Sequence, residues 1–270
     1  MSIKYRTIKS LALITVIVSI MGCSTDEKQT VTTMNNLVMQ DEFDVDGAPN
    51  SAYWSYDIGT GNNGWGNNES QYYTSRPENI VVENGMLKIT ARQELYMGSN
   101  YTSARILTKG KVEQKYGRIE ARIKCPLGQG LWPAFWMLGE DIDEVGWPNC
   151  GEIDIMEYLG SNPITAFGTV HGPGYSGGAS ISKNFTLTNS RFDTDFHIFG
   201  IEWGEDYINY YIDDKLYNQI TPEDVPGEWV FNKPFYIILN MAVGGNLPGS
   251  PNSETTFPQE MLVDYVRIYQ

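Results

Sequence analysis

Three carboxylates occur within six residues of an otherwise apolar stretch, Gly151–Gly160, which reads GEIDIMEYLG. In a β-strand, side chains alternate between two faces, so Glu152 and Asp154 would share one face while Glu157 would fall on the other. An unpaired carboxylate in a core is costly, and one extra residue in the strand would return Glu157 to the face of the other two acids. The stretch therefore predicts a β-strand with a bulge near Met156.

Two glutamates on one strand face are able to act as a catalytic pair. Glu152 and Glu157 would lie about four strand steps apart, roughly 13 Å between Cα atoms, and leaning side chains can bring their carboxylates to about 5 Å. That separation is typical of retaining glycosidases, in which one carboxylate attacks the anomeric carbon and the other donates and later accepts a proton. Asp154 can hydrogen-bond one glutamate and help keep the two protonation states apart. A calcium loop is the alternative, but Ile153 and Ile155 oppose the flexible, oxygen-rich sequence that such a loop needs.

The hexapeptide EIDIME resembles the catalytic signature of glycoside hydrolase family 16, in the bulged form typical of its laminarinases. Position by position, this resemblance implies that Glu152 is the nucleophile, Asp154 the assisting residue and Glu157 the acid/base. The resemblance continues in the family's order over roughly residues 37–270. The other segments that carry it are Gly64–Glu69, Gln71–Tyr73, Trp132–Leu138, His171–Gly172, Phe196–His197, Glu202–Trp203 and Asn240–Gly245.

Alternating apolar and polar residues predict strands along the rest of the chain. In Gly117–Lys124, one face carries four charged residues and is expected to be solvated, while the other belongs to the core. No segment of helical length after the first 22 residues keeps a 3.6-residue apolar period. We therefore predict an all-β, antiparallel β-sandwich, which the resemblance sharpens to a jelly roll with a concave glycan-binding sheet. The predicted strands are Met86–Arg92, Gly117–Lys124, Phe196–Trp203, Tyr207–Asp213 and Leu262–Tyr269.

The first 36 residues are typical of an export signal followed by a tether. Three basic residues precede the short apolar run Leu11–Met21, as in a secretory signal. The run ends in IMGC, which resembles a bacterial lipobox and implies a lipoprotein signal peptide at 1–22 with Cys23 as the lipid-bearing residue. Ordinary signal cleavage is the alternative. We expect 23–36 to be a polar, lipid-anchored tether and 37–270 to be one family 16 catalytic domain.

Acidic residues outnumber basic ones, 33 against 19. Removing the predicted signal takes three basic residues and no acidic ones, which leaves a net charge of −17. Such a surface opposes nucleic acid and handicaps the binding of sulfated polysaccharides. We expect a neutral β-glucan polysaccharide as partner, no nucleic acid, membrane contact through the lipid anchor only, and a monomer. The expected location is the cell envelope, at the outer membrane or the cell surface, after export.

Two cysteines remain once Cys23 is assigned to the lipid, namely Cys125 and Cys150. Disulfides form in exported proteins, but the sequence does not reveal the Cα separation that a bridge requires. Their pairing stays open at this point.

Aromatic and amide side chains are expected to bind the sugar, because sugar rings lie on aromatic faces while their hydroxyls need planar donors and acceptors. Seven Trp and seventeen Tyr would suit a β-sandwich core as well as a cleft. Trp132 and Trp136, four residues apart, share a face if their segment is extended. The resemblance implies these substrate-binding residues: Asn67, Asn68, Glu69, Arg105, Trp132, Trp136, His171 and Asn240.

The two histidines receive different interpretations. His171 precedes the turn Gly172–Gly174, which can present it at the rim of a cleft, and it resembles the family's subsite histidine. A structural histidine is the alternative. His197 lies on a predicted strand beside bulky residues, and we interpret it as structural.

A structural calcium ion is a further implication of the family resemblance. The matching ligands would be Glu42, the backbone carbonyl of Gly85, and Asp264, because oxygen ligands from distant strands can clip a sandwich together. A solvated pair of carboxylates near the chain ends is the alternative. No cofactor is expected for the chemistry itself.

The resemblance implies retaining endo-hydrolysis of internal β-1,3 bonds in laminarin-type glucans, with mixed-linkage β-1,3/1,4-glucan as a further substrate. The spacing of the acids alone does not exclude galactans as substrates. The segments Trp132–Leu138 and Asn67–Glu69 favour β-glucan over agarase-like action on galactans. A noncatalytic glycan-binding surface lipoprotein is the competing class, and it would have no need to keep both Glu152 and Glu157.

Overall fold

The computed structural model describes residues 32–270. The predicted signal peptide, the lipid-bearing Cys23 and the first part of the tether lie outside the described residues. Within 32–270, no helix has both the length and the apolar character needed to cross a membrane.

One layer of the molecule is an eight-stranded sheet that carries the predicted catalytic strand, and we call it the site sheet. Its neighbouring strands are antiparallel, and β8 pairs with β17 beside the main path. In spatial order the strands are β13 Ile181–Thr186, β12 Thr165–His171, β11 Glu152–Tyr158, β10 Leu131–Gly139, β17 Phe235–Val243, β7 Arg105–Leu107 and β2 Ser55–Asp57, with β8 Glu113–Gln114.

The second layer is a ten-stranded sheet, which we call the outer sheet. Its strands are antiparallel except for the β3–β6 pair, and β1 and β4 pair with β18 and β5 beside the main path. In spatial order the strands are β16 Lys215–Ile220, β15 Tyr207–Ile212, β14 His197–Gly204, β9 Gly117–Lys124, β18 Gln259–Tyr269, β5 Leu87–Tyr96, β6 Ser99–Ser103 and β3 Gln71–Tyr73, with β1 Leu37–Asp41 and β4 Ile80–Val82.

The inward side chains of the two sheets form one large apolar core. Large rings fill it, with Trp203, Phe199 and Phe235 fully buried. Burying large apolar side chains from both layers is the main stabilising contribution to a sandwich of this kind. The only α-helix in the described residues is the single turn α1, Ile142–Val145. The all-β sandwich is therefore confirmed, and all five predicted strands are strands.

The last five residues of the predicted tether pack on the outer sheet. Thr33 and Met34 donate their backbone N–H groups to the carboxylate of Glu202, the second at 2.7 Å. Arg118 Nη1 donates to Thr32 Oγ1 at 2.6 Å, and Thr32 is 7% exposed. We call residues 32–36 the strap.

The expectation of a solvated face on β9 is wrong at its first two charges. Arg118 and Glu120 are only 5% and 2% exposed. The strap contacts Arg118, and Glu120 accepts a hydrogen bond from Tyr211 Oη at 2.7 Å. Alternation separates apolar from polar positions, but it does not reveal which polar face a distant segment will cover.

The two described cysteines are not bridged. Cys125 and Cys150 are both buried, free thiols. Burial raises the pKa of both, for Cys150 to about 11, so neither is a reactive thiolate.

Candidate active site

The bulge predicted near Met156 is confirmed. Trp136 and Phe135, neighbours on β10, pair with Asp154 and Met156, which leaves Ile155 as the extra residue. The pairing of β11 with β12 shifts over the same stretch. The extra residue restores the alternation of faces, so the third acid returns to the face of the first two.

Close packing surrounds the start of β11 and the strand opposite the bulge. Gly151, which precedes the strand, has φ +78°, and a Cβ there would lie 2.9 Å from the Phe235 ring. Gly168 on β12 lies between the two partners of the bulge, and a Cβ there would lie 2.4 Å from Tyr217 Oη. Neither position has room for a Cβ, so both need glycine for this close packing around the catalytic strand.

Glu152 is contacted by two ring systems. Trp147 Nε1 donates a hydrogen bond to Glu152 Oε2 at 2.6 Å. His171 Nε2 lies 3.9 Å from Glu152 Oε1 and 3.2 Å from Asp154 Oδ2. The predicted rim histidine therefore lies among the acids. At the other end of the group, Thr169 Oγ1 donates to Glu157 Oε2 at 3.3 Å.

All three carboxylates hold their protons more tightly than free carboxylic acids. Burial raises the pKa of Glu152 to about 8, and repulsion from Asp154 adds to the effect. Burial raises the pKa of Glu157 to about 7, with repulsion from Glu152. For Asp154, burial and the charge of Glu157 raise the pKa well above its ordinary value. Near pH 7 the cluster therefore still holds protons. A catalytic pair needs such a proton, because one of its two carboxyl groups must act as an acid.

Glu152, Asp154 and His171 offer oxygen and nitrogen atoms within 4.8 Å of one another, which is close enough to hold a metal ion. Gly177 donates its N–H to His171 Nδ1 at 3.1 Å, so the proton of the neutral ring lies on Nε2, the nitrogen that faces the acids. A metal ligand needs an unprotonated nitrogen there. The set therefore suits a hydrogen-bonded acid cluster and does not fit a metal centre.

Arg105 lies on the same sheet, three strands away from Glu157. Its guanidinium is 4.8 Å from the ring centres of both Trp65 and Trp136, and its Nε is 2.9 Å from Asp57 Oδ2. The Arg105 side chain is only 11% exposed, so it is not a charge on the solvated surface of the strand. The arrangement fixes the plane of the guanidinium donors on this face of the site sheet.

A chain of hydrogen bonds joins Trp136 to the loop before β3. Trp136 Nε1 donates to Asn240 Oδ1 at 2.7 Å, and Asn240 Nδ2 donates to Tyr73 Oη at 3.1 Å. Tyr73 Oη donates in turn to Glu69 Oε2 at 3.1 Å, and Gln71 Nε2 donates to the same oxygen at 2.6 Å. Burial raises the pKa of Glu69.

The register places one row of these side chains straight across the site sheet. Glu157 pairs with Ala134, Ala134 with Asn240, Asn240 with Arg105, and Arg105 with Asp57. Directly opposed residues point to the same face. The row therefore runs across one face of the site sheet from the acid cluster to Arg105 and Asp57.

The remaining predicted contacts lie around this row. Trp132 and Trp136 are both half-buried on the face that Ala134 occupies, as their spacing predicted. Asn68 Nδ2 donates to Asn246 Oδ1 at 2.9 Å, and the Asn67 carbonyl accepts the N–H of Asn246 at 2.8 Å. These two asparagines therefore join their loop to the one after β17.

Three contacting residues were absent from the predicted site: Trp147, Trp65 and Asp57. Trp147 lies in an irregular loop, where no periodicity indicates which way a side chain points. Trp65 lies in Gly64–Glu69, a segment that resembles the family, but its contact with Arg105 depends on a turn with positive φ values. The contact of Asp57 with Arg105 could be predicted only by knowing that β2 pairs with β7.

His197 is structural, as interpreted from the sequence. It is 8% exposed, and its Nδ1 lies 2.9 Å from Asp213 Oδ2.

The residues named for calcium each have another partner or place. Glu42 accepts two hydrogen bonds from Arg267 at 2.8 and 3.0 Å, and Arg122 Nη1 donates to Asp264 Oδ2 at 2.9 Å. Gly85 forms a turn with φ +72°. Carboxylates already neutralised by guanidinium groups do not fit a hard cation, and calcium stays a prediction.

The fold and the paired acids on a bulged strand define a class of protein, the glycoside hydrolases with a β-sandwich domain. Residues 67–267 match the model of glycosyl hydrolases family 16. The chain therefore belongs to glycosyl hydrolases family 16.

Individual relatives agree with this assignment. The chain is 43% identical over 244 residues to a β-glucanase from Rhodothermus marinus, covering 87% of this chain and 85% of the relative. It is 36% identical over 263 residues to glucan endo-1,3-β-glucosidase A1 from Niallia circulans, covering 87% of this chain but only 38% of that longer protein. Among solved structures, the laminarinase catalytic domain from Thermotoga maritima is 51% identical, with a TM-score of 0.83, covering 87% of this chain and 98% of that one.

Proposed function

We propose that this protein is a retaining endo-hydrolase of internal β-1,3-glucosidic bonds in laminarin-type glucans, with mixed-linkage β-1,3/1,4-glucan as a further substrate. The observation that carries the proposal is the bulge in β11, which returns Glu157 to the face of Glu152, the face on which Trp132 and Trp136 also lie. The names of the relatives favour β-glucan as the substrate class.

In the proposed mechanism, an oxygen of ionised Glu152 attacks the anomeric carbon while Glu157 gives its proton to the departing glycosidic oxygen. This forms a covalent ester between the sugar and Glu152 and releases the first product. Glu157, now ionised, takes a proton from water, whose oxygen attacks the same carbon and frees Glu152. Two inversions retain the β configuration. The step needs Glu152 ionised and Glu157 protonated. Burial leaves the pKa of Glu152, about 8, above that of Glu157, about 7, so this division depends on groups that stabilise the charged form of Glu152.

The cleft chemistry supports a neutral glucan. Half-buried rings such as Trp132 and Trp136 offer apolar faces to the sugar rings, and Arg105 and Asn240 offer donors to hydroxyl groups. We assign Asn67, Asn68, Glu69 and His171 to substrate contact as well, as the resemblance implies. No cofactor takes part in this chemistry.

Glu152→Ser and Glu157→Gln test the two roles. We expect Glu152→Ser to lose at least about 1,000-fold in kcat on laminarin while still binding it, because the nucleophile is gone but the cleft is kept. Glu157→Gln should lose the alkaline limb of the pH profile, which reports ionisation of the proton donor. The matched control is the exposed Glu223→Gln. Substantial turnover by Glu152→Ser would place the nucleophile elsewhere.

A substrate panel separates the alternatives. Cleavage of agarose or carrageenan with laminarin intact would move the enzyme to galactans. Binding of laminarin without cleavage of any substrate would make the protein a noncatalytic glycan-binding lipoprotein.

We also propose that the mature chain begins at Cys23, carries lipid there, and is anchored as a monomer in the cell envelope. The basic start, the apolar run and the IMGC sequence support this. Mass spectrometry of the membrane-extracted protein should find a lipid-modified Cys23, and Cys23→Ser should release the protein from membranes. Light scattering of residues 24–270 tests whether the protein is a monomer in solution.

Thermal melting of the protein with and without added calcium tests whether it binds a structural calcium ion. A rise in Tm on adding calcium that disappears in Asp264→Asn would support the ion that the resemblance implies. An unchanged Tm would favour the arginine pairs of Glu42 and Asp264.

A further inference from the structure

A tryptophan in the loop between β10 and β11 contacts the proposed nucleophile. The Trp147 indole donates its N–H to Glu152 Oε2 at 2.6 Å, and its ring centre lies 5.9 Å from that of His171. Trp147 is 48% exposed. A ring so exposed gains only part of the stabilisation that burial gives, so packing alone does not account for a tryptophan here.

Contacts before and after Trp147 anchor its loop to the rest of the domain. Lys233 Nζ donates to Asp141 Oδ2 at 2.6 Å and to the Asn149 carbonyl at 3.2 Å. Ile142 packs against an apolar cluster on the site-sheet face. Because these contacts lie before and after Trp147, the direction of its N–H is set by the loop as well as by Glu152.

The nucleophile needs a donor because its neighbours oppose its ionisation. Asp154 and Glu157, on the same strand, are both carboxylic acids whose charge would repel that of Glu152. His171 on β12 favours the charged form of Glu152, but its Nε2 lies nearer to Asp154 Oδ2, at 3.2 Å, than to Glu152 Oε1, at 3.9 Å. The Trp147 N–H is the hydrogen bond in this group that points directly at Glu152 Oε2.

We propose that Trp147 is a positioning residue for the nucleophile: its indole N–H fixes the orientation of the Glu152 carboxylate and stabilises the charged form that attacks the sugar. The inference rests on the role of Glu152 in the proposed function. A hydrogen bond to a charged carboxylate favours its ionised state and narrows its rotamer choice.

Two variants separate the N–H from the ring. Trp147→Phe keeps an aromatic ring and removes the donor, whereas Trp147→Gln removes the ring and returns an N–H of similar reach. Trp229→Phe is the matched control, because its indole N–H donates to the Glu205 carbonyl at 3.0 Å, away from the acids. Each protein is assayed on laminarin across pH, and its Tm is recorded.

For Trp147→Phe we expect kcat to fall about 10- to 100-fold with a smaller change in KM. The acidic limb of the kcat/KM profile should move to higher pH, because the nucleophile then ionises later. Trp147→Gln should return that limb toward the wild-type position, and Trp229→Phe should leave kcat and the limb unchanged. Wild-type kcat and an unmoved limb in Trp147→Phe would overturn the proposal, as would equal losses in both Trp147 variants with no shift of the limb.

A second measurement does not depend on turnover. Carboxyl ¹³C NMR of labelled glutamate, with Glu152 assigned through Glu152→Gln, follows the ionisation of this group directly. We expect its titration to move to higher pH in Trp147→Phe and to stay in place in Trp229→Phe. An unmoved titration overturns the role of Trp147, whereas a wild-type protein that leaves laminarin intact would instead contradict the proposed function.

Discussion

Three buried carboxylates, Glu152, Asp154 and Glu157, make the stability of the folded protein depend on pH. The folded pKa values of Glu152 and Glu157, about 8 and about 7, lie above those of an unfolded chain. The folded protein therefore keeps protons that the unfolded chain loses, and the free energy of unfolding falls as pH rises from about 4.5 to about 8.

Glu157→Gln removes one of these ionising groups and should stabilise the protein where the wild type is charged. We expect a Tm higher than that of wild type by about 2 to 6 °C at pH 8.5, and nearly equal Tm values at pH 4.5. Differential scanning calorimetry at the two pH values measures this, with Glu223→Gln as the exposed control. The same Tm difference at both pH values would show that ionisation of Glu157 is not the cause.

The acid cluster could be predicted from the sequence because the chemistry of its residues conflicts with a regular strand. Glu157 would be an unpaired charge in the core unless the strand bulged, so one physical cost indicated both the bulge and the pair. No comparable cost points to Trp147. A half-exposed ring in a loop is compatible with many conformations, and only the fold shows that its N–H reaches Glu152.

At the scale of elements, the strap acts as a cover for a charged face of the outer sheet. Glu202 is 5% exposed and accepts two backbone N–H groups from the strap. Without the strap, Glu202 loses both of these hydrogen bonds.

Glu202→Ala should therefore lower stability by about 2 to 3 kcal/mol, because it leaves two partly buried N–H groups without an acceptor. This corresponds to a fall in Tm of about 4 to 10 °C, measured by thermal melting, with kcat at 25 °C unchanged. The exposed neighbour Glu205→Ala is the control. In a chain that begins at residue 37 the same substitution should cost much less, and an equal cost in both chains would contradict the role of the strap.

The positions of strands could be predicted because the alternation of apolar and polar residues is a local pattern. The sequence did not reveal which distant segments cover the polar faces of those strands. Arg118 and Glu120 were expected in solvent, yet the strap and Tyr211 cover them. The strap precedes β9 by more than eighty residues, and nothing local to β9 indicates that it returns there.

At the scale of the whole molecule, the formal net charge of −14 should govern which polysaccharides approach. Neutral glucans feel no long-range force from the protein, whereas sulfated chains are repelled at low ionic strength. We expect KM for laminarin to change less than twofold between 20 and 300 mM salt, values chosen to span about 20 to about 6 Å of screening length. Binding of carrageenan should be undetectable at the lower salt concentration. Tight carrageenan binding that weakens with salt would reveal a local basic cleft that outweighs the net charge.

The fold class could be predicted from the whole sequence because alternating strands and the absence of helical periodicity agree along the chain. The site was predictable where motifs lie on strands, as for Glu152 and Asn240. It was less so where contacts depend on turns and loops, as for Trp65 and Trp147, because loop direction follows from packing that no local pattern records.

Real-time NMR of laminarin digestion by residues 24–270 tests directly whether the bulged strand carries a retaining pair of glutamates. We expect short oligosaccharides to appear early with newly formed reducing ends in the β configuration, which then mutarotate toward equilibrium, and we expect Glu152→Ser to yield none. New ends that appear first in the α configuration would contradict a retaining pair, because that outcome requires a single displacement by water.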